Sequence, residues 1–314
     1  IVVSIRDDWL TIISPMEGTP GARAGLRPGD RIVRIGDQST EGMGINDAVN
    51  LMRGKVGTEV TINIAREDEE NDLEITLKRE RIKTKSVRDL NNKGDYPLFE
   101  DGIGYVRLGG FSENTATELE AALTKMEEAG LKGLVLDLRD NPGGLLTQSA
   151  RVAEKFIKAG QLIVSTEGRG ARELDRLVAT VIGHRTLPMV ILINGGSASA
   201  SEIVAGCLQD LKRAELIGTR TFGKGSVQSI LPLKDGSALR LTTAKYYTPS
   251  HRTIHDKGIE PDYVVEMTPE QMRDIMLQRS PGGLETLPEE DRERVKAATD
   301  SQLDKALEIL REKL

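Results

Sequence analysis

VILINGGSASASEIVAG, residues 190–206, is an apolar run that breaks into two glycines and alternating Ser and Ala, then becomes helix-forming with Glu202 in its first turn. The run reads as a buried strand, the small residues as a tight loop, and the remainder as a helix. Amides at a helix N-terminus favour negative charge, and small residues let a ligand approach the backbone closely. The stretch is therefore either a Ser-rich helix cap or the place where a serine nucleophile and an oxyanion meet.

Two further glycine-rich junctions flank it. Upstream, LVLDLRDNPGG (134–144) is an apolar strand ending in Arg139, Asn141, Pro142, Gly143 and Gly144 before a helix. Downstream, IGTRTFGKGSVQSILPL (217–233) sets Lys224 between Gly223 and Gly225. Gln228 follows four residues later, an even spacing that places both side chains on one face if the strand extends back to Lys224. Gly218, Gly223 and Lys224 also fit the spacing of a phosphate-binding loop. That reading fails at Gly225, where Ser or Thr should hold magnesium, and at the β-branched strand that replaces the required helix.

Around these junctions, strands at Ile103, Leu134–Leu138, Gln161–Ser165, Met189–Ile193, Leu216, Val227–Leu233 and Leu239–Tyr247 alternate with helices at Glu113–Ala129, Leu145–Ala159 and Ala200–Leu211. This is the pattern of an α/β layer domain. Residues 1–80 read instead as a β-rich module, with strands at Ile1–Ile5, Leu10–Ser14, Arg31–Ile35, Glu59–Arg66 and Asp72–Lys78 and a short helix in GINDAVNLMRG. Residues 81–100 read as a linker, 101–268 as the α/β core and 269–314 as a helical segment whose Leu303, Leu307 and Leu310 form one stripe.

The 314 residues carry 43 Lys+Arg against 49 Asp+Glu, a net charge of −6, which excludes the basic field of a nucleic-acid binder. No run of about 18 apolar residues suggests a membrane span. One cysteine, Cys207, excludes an internal disulfide framework and a multi-Cys metal site, so no metal or cofactor is expected. The chain opens on the apolar run IVVSI, without a signal peptide, as though a longer precursor had been cut. Three histidines, His184, His251 and His255, lie in turns rich in Pro, Gly or charge, so a mechanism without a histidine base fits better.

In order along the chain, AGLRPGDRIVRIG, INDAVNLMRGKVGT, GIGYVRLGGF, LVLDLRDNPGGLL, NGGSASASEIVAG and TFGKGSVQ resemble the carboxyl-terminal processing peptidases, or tail-specific proteases. That resemblance implies a ClpP/crotonase-like α/β protease core of mixed sheets and helices, an N-terminal PDZ domain and C-terminal helices. It makes Ser199 the nucleophile, Lys224, 25 residues on, the general base, and Gln228 the residue that orients the lysine. Ser197 and Ser201 become structural neighbours, with Ser201 a cap for the following helix, while Arg139 and Glu202 brace the loops. The amide of Ala200 and that of Gly143 or Gly144 would form the oxyanion hole. To accept a proton Lys224 must be neutral, which burial in an aliphatic pocket would favour.

Ile45, Val49 and Met52 would line a PDZ groove that takes an extended C-terminus as an added strand, with Ala48 and Leu51 facing the core. The carboxylate loop of that module precedes its first strand, so with Ile1 opening the chain the loop is expected to be missing or partial. The resemblance further implies flexible protein C-termini as substrates, an extracytoplasmic, periplasmic setting, an optional lipoprotein adaptor and homo-oligomers built through terminal helices. The competing reading is a non-catalytic or auto-inhibited PDZ scaffold.

Overall fold

The computed structural model describes residues 1–6, 8–14, 19–27, 29–66, 69–81, 85–170, 172–180, 184–233, 237–279, 284 and 287–314, and their side chains except at positions 2, 4, 6, 13, 14, 228–230, 232, 240 and 269. Two units result, Ile1–Thr84 with Pro269–Thr299, and Lys85–Thr268 with Asp300–Leu314.

In the first unit the strands β1 (Val2–Arg6), β2 (Trp9–Ser14), β3 (Arg31–Ile35), β4 (Gln38–Ser39), β5 (Glu59–Ala65) and β6 (Leu73–Lys78) form one antiparallel sheet in the order β1-β2-β3-β5-β6, with β4 on β3. Helix α1 (Pro20–Arg23) fills the turn after β2, and α2 (Ile45–Met52) packs beside β1 and β3. Alternate residues of the strands, Leu10, Ile12, Ile32, Ile62 and Ile64, close over Ala48 of α2 in one aliphatic core. Period-2 alternation produces this directly: the same strands expose Arg31, Glu59 and Lys78.

The second unit is built on a 6-stranded sheet. Its strands are β7 (Val87–Arg88), β8 (Ile103–Leu108), β9 (Gly133–Asp137), β12 (Met189–Ile193), β13 (Glu215–Gly218) and β16 (Tyr263–Val264), in the order β16-β13-β12-β9-β8-β7, all parallel but β7. A second, antiparallel sheet runs β11-β10-β15-β14, from β10 (Leu162–Glu167), β11 (Glu173–Val178), β14 (Ser226–Pro232) and β15 (Ala238–Tyr247). Because β9, up to its terminal Asp137, and β12 carry no polar side chain and are buried at every position, both faces of the parallel sheet must be covered. Leu134, Leu136 and Ile191 face a large core shared with α3 (Thr115–Glu128), α4 (Leu146–Ala153) and α5 (Ala200–Asp210). Val135, Val190, Leu192 and Ile217 face the other way, against Leu303, Ala306, Leu307 and Leu310. Those four residues belong to the last helix, which follows α6 (Pro269–Arg279) and α7 (Glu289–Lys296) and is α8 (Ser301–Lys313). Among the described residues no helix is long and apolar enough to cross a membrane.

Several expectations need correction. Residues 85–100 belong with the second unit rather than forming a linker: β7 pairs with β8, and buried Asp89 accepts the amides of Lys93, Asp95 and Tyr96. The helix starting near Leu145 ends at Ala153 instead of Ala159. The C-terminal 46 residues do not act as one segment, since the two units divide between Thr299 and Asp300. The leucine stripe of α8 is a packing element, buried against the parallel sheet.

Candidate active site

Strands β9, β12 and β13 are adjacent and parallel, so the segments leaving their carboxyl ends emerge side by side. In open parallel sheets that end is where ligands bind. The three glycine-rich junctions are these segments.

Of the three serines after β12, two are committed. Ser197 Oγ donates to the Leu138 carbonyl at 2.7 Å, and Ser201 Oγ to the Asn141 carbonyl at 2.9 Å. Ser201 is thus a strut to the 139–144 loop and not the cap of α5. That position is held by Ser199, whose hydroxyl donates to no group among the described residues. Its backbone has φ 55° and ψ −111°, a strained conformation for a residue with a side chain, and one that persists only when its surroundings over-determine it. They do. Ala198 N donates to Asn141 O at 2.9 Å, and Asp140 and Asn194 exchange two hydrogen bonds of 2.9 Å between the loops.

Glu202 joins the second junction to the third. Although fully buried, its carboxylate accepts the Ser199 amide at 2.7 Å and the Lys224 amide at 2.9 Å on one oxygen. The other oxygen accepts Thr221 Oγ1 at 2.6 Å and the Gly223 amide at 2.7 Å. One side chain therefore fixes the backbone of both residues assigned to the dyad, as the bracing role expected of Glu202 requires.

Lys224 differs from expectation in two ways. Strand β14 begins at Ser226, and a register shift falls between Val227 and Gln228, so strict alternation does not link Lys224 to Gln228. The Gln228 side chain lies outside the described residues. Lys224 is also exposed, and among the described residues no hydrogen bond joins its ammonium to Ser199. Gly223 and Gly225 explain the exposure. A Cβ on Gly225 would stand 2.2 Å from His255 N and one on Gly223 3.2 Å from Gly258 N, so the segment is clasped by its backbone and the lysine projects outward.

The amides expected to form an oxyanion hole differ in their hydrogen bonding. Among the described residues the amide of Ala200 donates no hydrogen bond, and neither does that of Gly144, whereas the Gly143 amide is taken by Asn141 Oδ1 at 2.9 Å. Gly143 stands against Ser199 all the same. A Cβ there would lie 2.7 Å from Ala198 O and 2.9 Å from both Ala200 N and Ser199 Cβ, and its φ is +98°. Gly143→Ala is expected to lower the rate of Ser199 acylation at least about 100-fold, because backbone on one side and strain on the other force the loop to move. Burst kinetics with an activated ester would show it, and an unchanged burst would refute this placement.

Arg139 is buried between Asp137 at 2.6 Å and Asp300 at 2.9 Å, and Tyr105 donates to Asp137 at 2.6 Å. Burial alone would raise the Asp137 pKa, but the charge and hydrogen bonds of Arg139, helped by Arg107 and Tyr105, bring it down to about 2. A carboxyl held below its ordinary value of about 3.9 stabilises the fold above pH ~4, and that contribution is lost as pH falls towards ~2. Urea midpoints measured from pH 5 to pH 2 should therefore fall more steeply for the wild type than for Asp137→Asn, by an amount on the order of 2 kcal/mol. Parallel curves would contradict this.

Among the described residues no hydrogen bond joins a histidine ring to Ser199. His251 pairs with Glu167 at 2.5 Å and stacks on Tyr247, while His255 lends its backbone to the clasp on Gly225. The Asp300 and Gln302 partners of Arg139 carry no local sequence signal, since they lie more than 160 positions downstream.

In the first unit Ala48 is buried, Ile45 is exposed and Val49 is half-buried. Met52 departs from it: with Leu51 it packs against the aliphatic core.

A small antiparallel sheet capped by a helix, together with a parallel-sheet unit carrying a strained serine at a helix N-terminus, defines a PDZ-bearing serine-type hydrolase. Residues 11–66 match the PDZ domain and residues 102–265 match peptidase family S41. The carboxy-terminal-processing protease of Bartonella bacilliformis is 44% identical over 99% of this chain and 74% of its own length. A probable CtpA-like serine protease of Staphylococcus aureus is 40% identical over 83% of this chain, which spans only 51% of that relative. Among solved structures, the photosystem II D1 C-terminal processing protease is 31% identical with a TM-score of 0.53, over 84% of this chain and 71% of that one. The chain belongs to peptidase family S41, as a serine-type peptidase of the carboxy-terminal-processing kind.

Proposed function

We propose that the chain is an endopeptidase that engages flexible protein C-termini outside the cytoplasm and cleaves them through an acyl-enzyme on Ser199. The observation that carries this reading is the sorting of the serines: Ser197 and Ser201 spend their hydroxyl protons on the 138–141 backbone, and Ser199 does not. Lys224, assisted by Gln228, takes the Ser199 proton and returns it to the leaving amine. The amides of Ala200 and of Gly143 or Gly144 hold the oxyanion, and each such donor is worth about 10²–10³ in rate. Gly144 needs no hydrogen bond broken to serve, whereas Gly143 must release Asn141 Oδ1.

In this reading the exposed Lys224, which has no hydrogen bond to Ser199 among the described residues, has still to reach the hydroxyl. Activity then requires the lysine to turn inward and lose its water shell, a step that substrate binding can drive.

The PDZ unit supplies tail selection. Edge strand β1, beside α2, offers a ladder to which an extended terminus can add, with Ile45 and Val49 flanking it. For two peptides of one sequence, the free C-terminus should be cleaved at least about 10-fold more efficiently (kcat/KM) than its amide. Equal values would remove tail guidance while leaving peptidase activity intact.

A further inference from the structure

We propose that the N-terminus of α8 belongs to the catalytic apparatus, with Asp300 and Gln302 acting through Arg139 as positioning residues for the oxyanion loop. The proposal rests on the Ser199 reading above.

The Arg139 guanidinium is 7% exposed and divides its donors between two elements. Nε and Nη2 go to the Asp137 carboxylate at 2.6–3.0 Å. Nη1 goes to Asp300 Oδ1 at 2.9 Å and Gln302 Oε1 at 3.1 Å, and Nη2 also reaches Asp300 Oδ2 at 2.9 Å. Asp137 is the last residue of β9 and cannot by itself satisfy the fork; among the described residues the acceptors of Nη1 are Asp300 and Gln302, at the start of α8. Asp300 is itself held in place, because Oδ1 also accepts the Leu303 amide at 3.0 Å as the cap of α8, while Gln302 Nε2 donates to Val265 O at 2.8 Å. The fork thus meets a preset pair of acceptors.

Two residues beyond Arg139 the same loop does its work. The Asn141 carbonyl receives Ala198 N and Ser201 Oγ on either side of Ser199, and Asn141 Oδ1 holds the Gly143 amide. Loss of the α8 acceptors leaves Nη1 buried without a partner, a situation resolved only by water entry or by moving residue 139. Either displaces Asn141 and with it the oxyanion amides, and a shift near 1 Å at such a site can cost about 100-fold in rate. Asp300 is also the residue at which the chain re-enters the unit holding the site.

The test compares four variants of the full chain at a temperature where each is folded by circular dichroism. Asp300→Asn keeps the shape and weakens the fork. It should lower kcat on a fluorogenic peptide, and the rate of fluorophosphonate labelling of Ser199, by about 10- to 100-fold with KM within about threefold. Gln302→Leu, which removes one acceptor, should give a smaller kcat loss of the same kind and serves if Asp300→Asn does not fold. Leu307→Ala removes apolar burial from α8 without touching Arg139, so it should lower Tm yet label within about threefold of wild type. Ser199→Ala separates the two levels of the argument: if it still cleaves, the Ser199 reading fails. If it is inactive while folded Asp300→Asn and Gln302→Leu both retain wild-type kcat and labelling, the α8 proposal alone is overturned. It is overturned equally if Leu307→Ala loses labelling in step with Asp300→Asn.

Discussion

Ser199→Ala is expected to reduce casein cleavage by about 10⁴-fold or more while leaving the fold intact, and Lys224→Ala to match it within an order of magnitude. In the proposed mechanism Ser199 forms the covalent bond and without Lys224 its hydroxyl keeps its proton, so either loss stops the same step. For that reason the double variant should be no worse than the more impaired single one. Stability should hardly change. The Ser199 hydroxyl donates to no described group, Lys224 projects into solvent, and Ala at φ 55° is strained about as much as Ser. Cleavage of casein by either purified variant at the wild-type rate would contradict the dyad.

Replacing Glu202 should have the next largest effect, on stability and activity together. Its carboxylate accepts four hydrogen bonds, three of them from backbone amides. Among the described residues no cationic side chain pairs with it. Glu202→Ala strands those donors inside a fully buried site, and each unsatisfied donor costs about 1–3 kcal/mol, so several kcal/mol of unfolding free energy should be lost. Glu202→Gln turns one acceptor oxygen into an NH₂ group that faces N–H or O–H donors, and is expected to be intermediate. Because the same carboxylate fixes the amides of Ser199 and Lys224, the acylation rate of folded Glu202→Gln should fall at least about 100-fold. Urea denaturation and fluorophosphonate labelling read the two effects separately. Unchanged values for both would show that the carboxylate braces nothing.

The parts of the fold legible in the sequence are those governed by local periodicity. In the first unit, alternating strands and the amphipathic α2 emerge nearly at their expected limits. The apolar runs that became β9 and β12 read as strands of an α/β layer domain. Elements without a period were not legible. β7 is two residues long, β11 is exposed along almost its whole length, and β16 is two residues after a proline. Each forms because a neighbouring strand offers hydrogen bonds, a condition no local pattern records.

Within the site the division is similar. Glycines at 143, 144, 223 and 225 and serines at 197, 199 and 201 marked three junctions, since backbone close approach and small hydroxyl side chains are properties of residue type. Their convergence depends on β9, β12 and β13 being neighbours in one parallel sheet. Which serine keeps a free hydroxyl was decided by two carbonyls some 60 positions upstream. The direction of Lys224 was decided by how the 254–258 segment clasps two glycines, and the assignment of α8 to the catalytic unit by a buried arginine needing acceptors from a helix more than 160 positions away. The sequence determined the chemistry available and the places where the backbone could expose it, because those follow from side-chain type and spacing. Only the tertiary structure decided the partners, because a hydrogen bond between distant segments is set by the path of the whole chain.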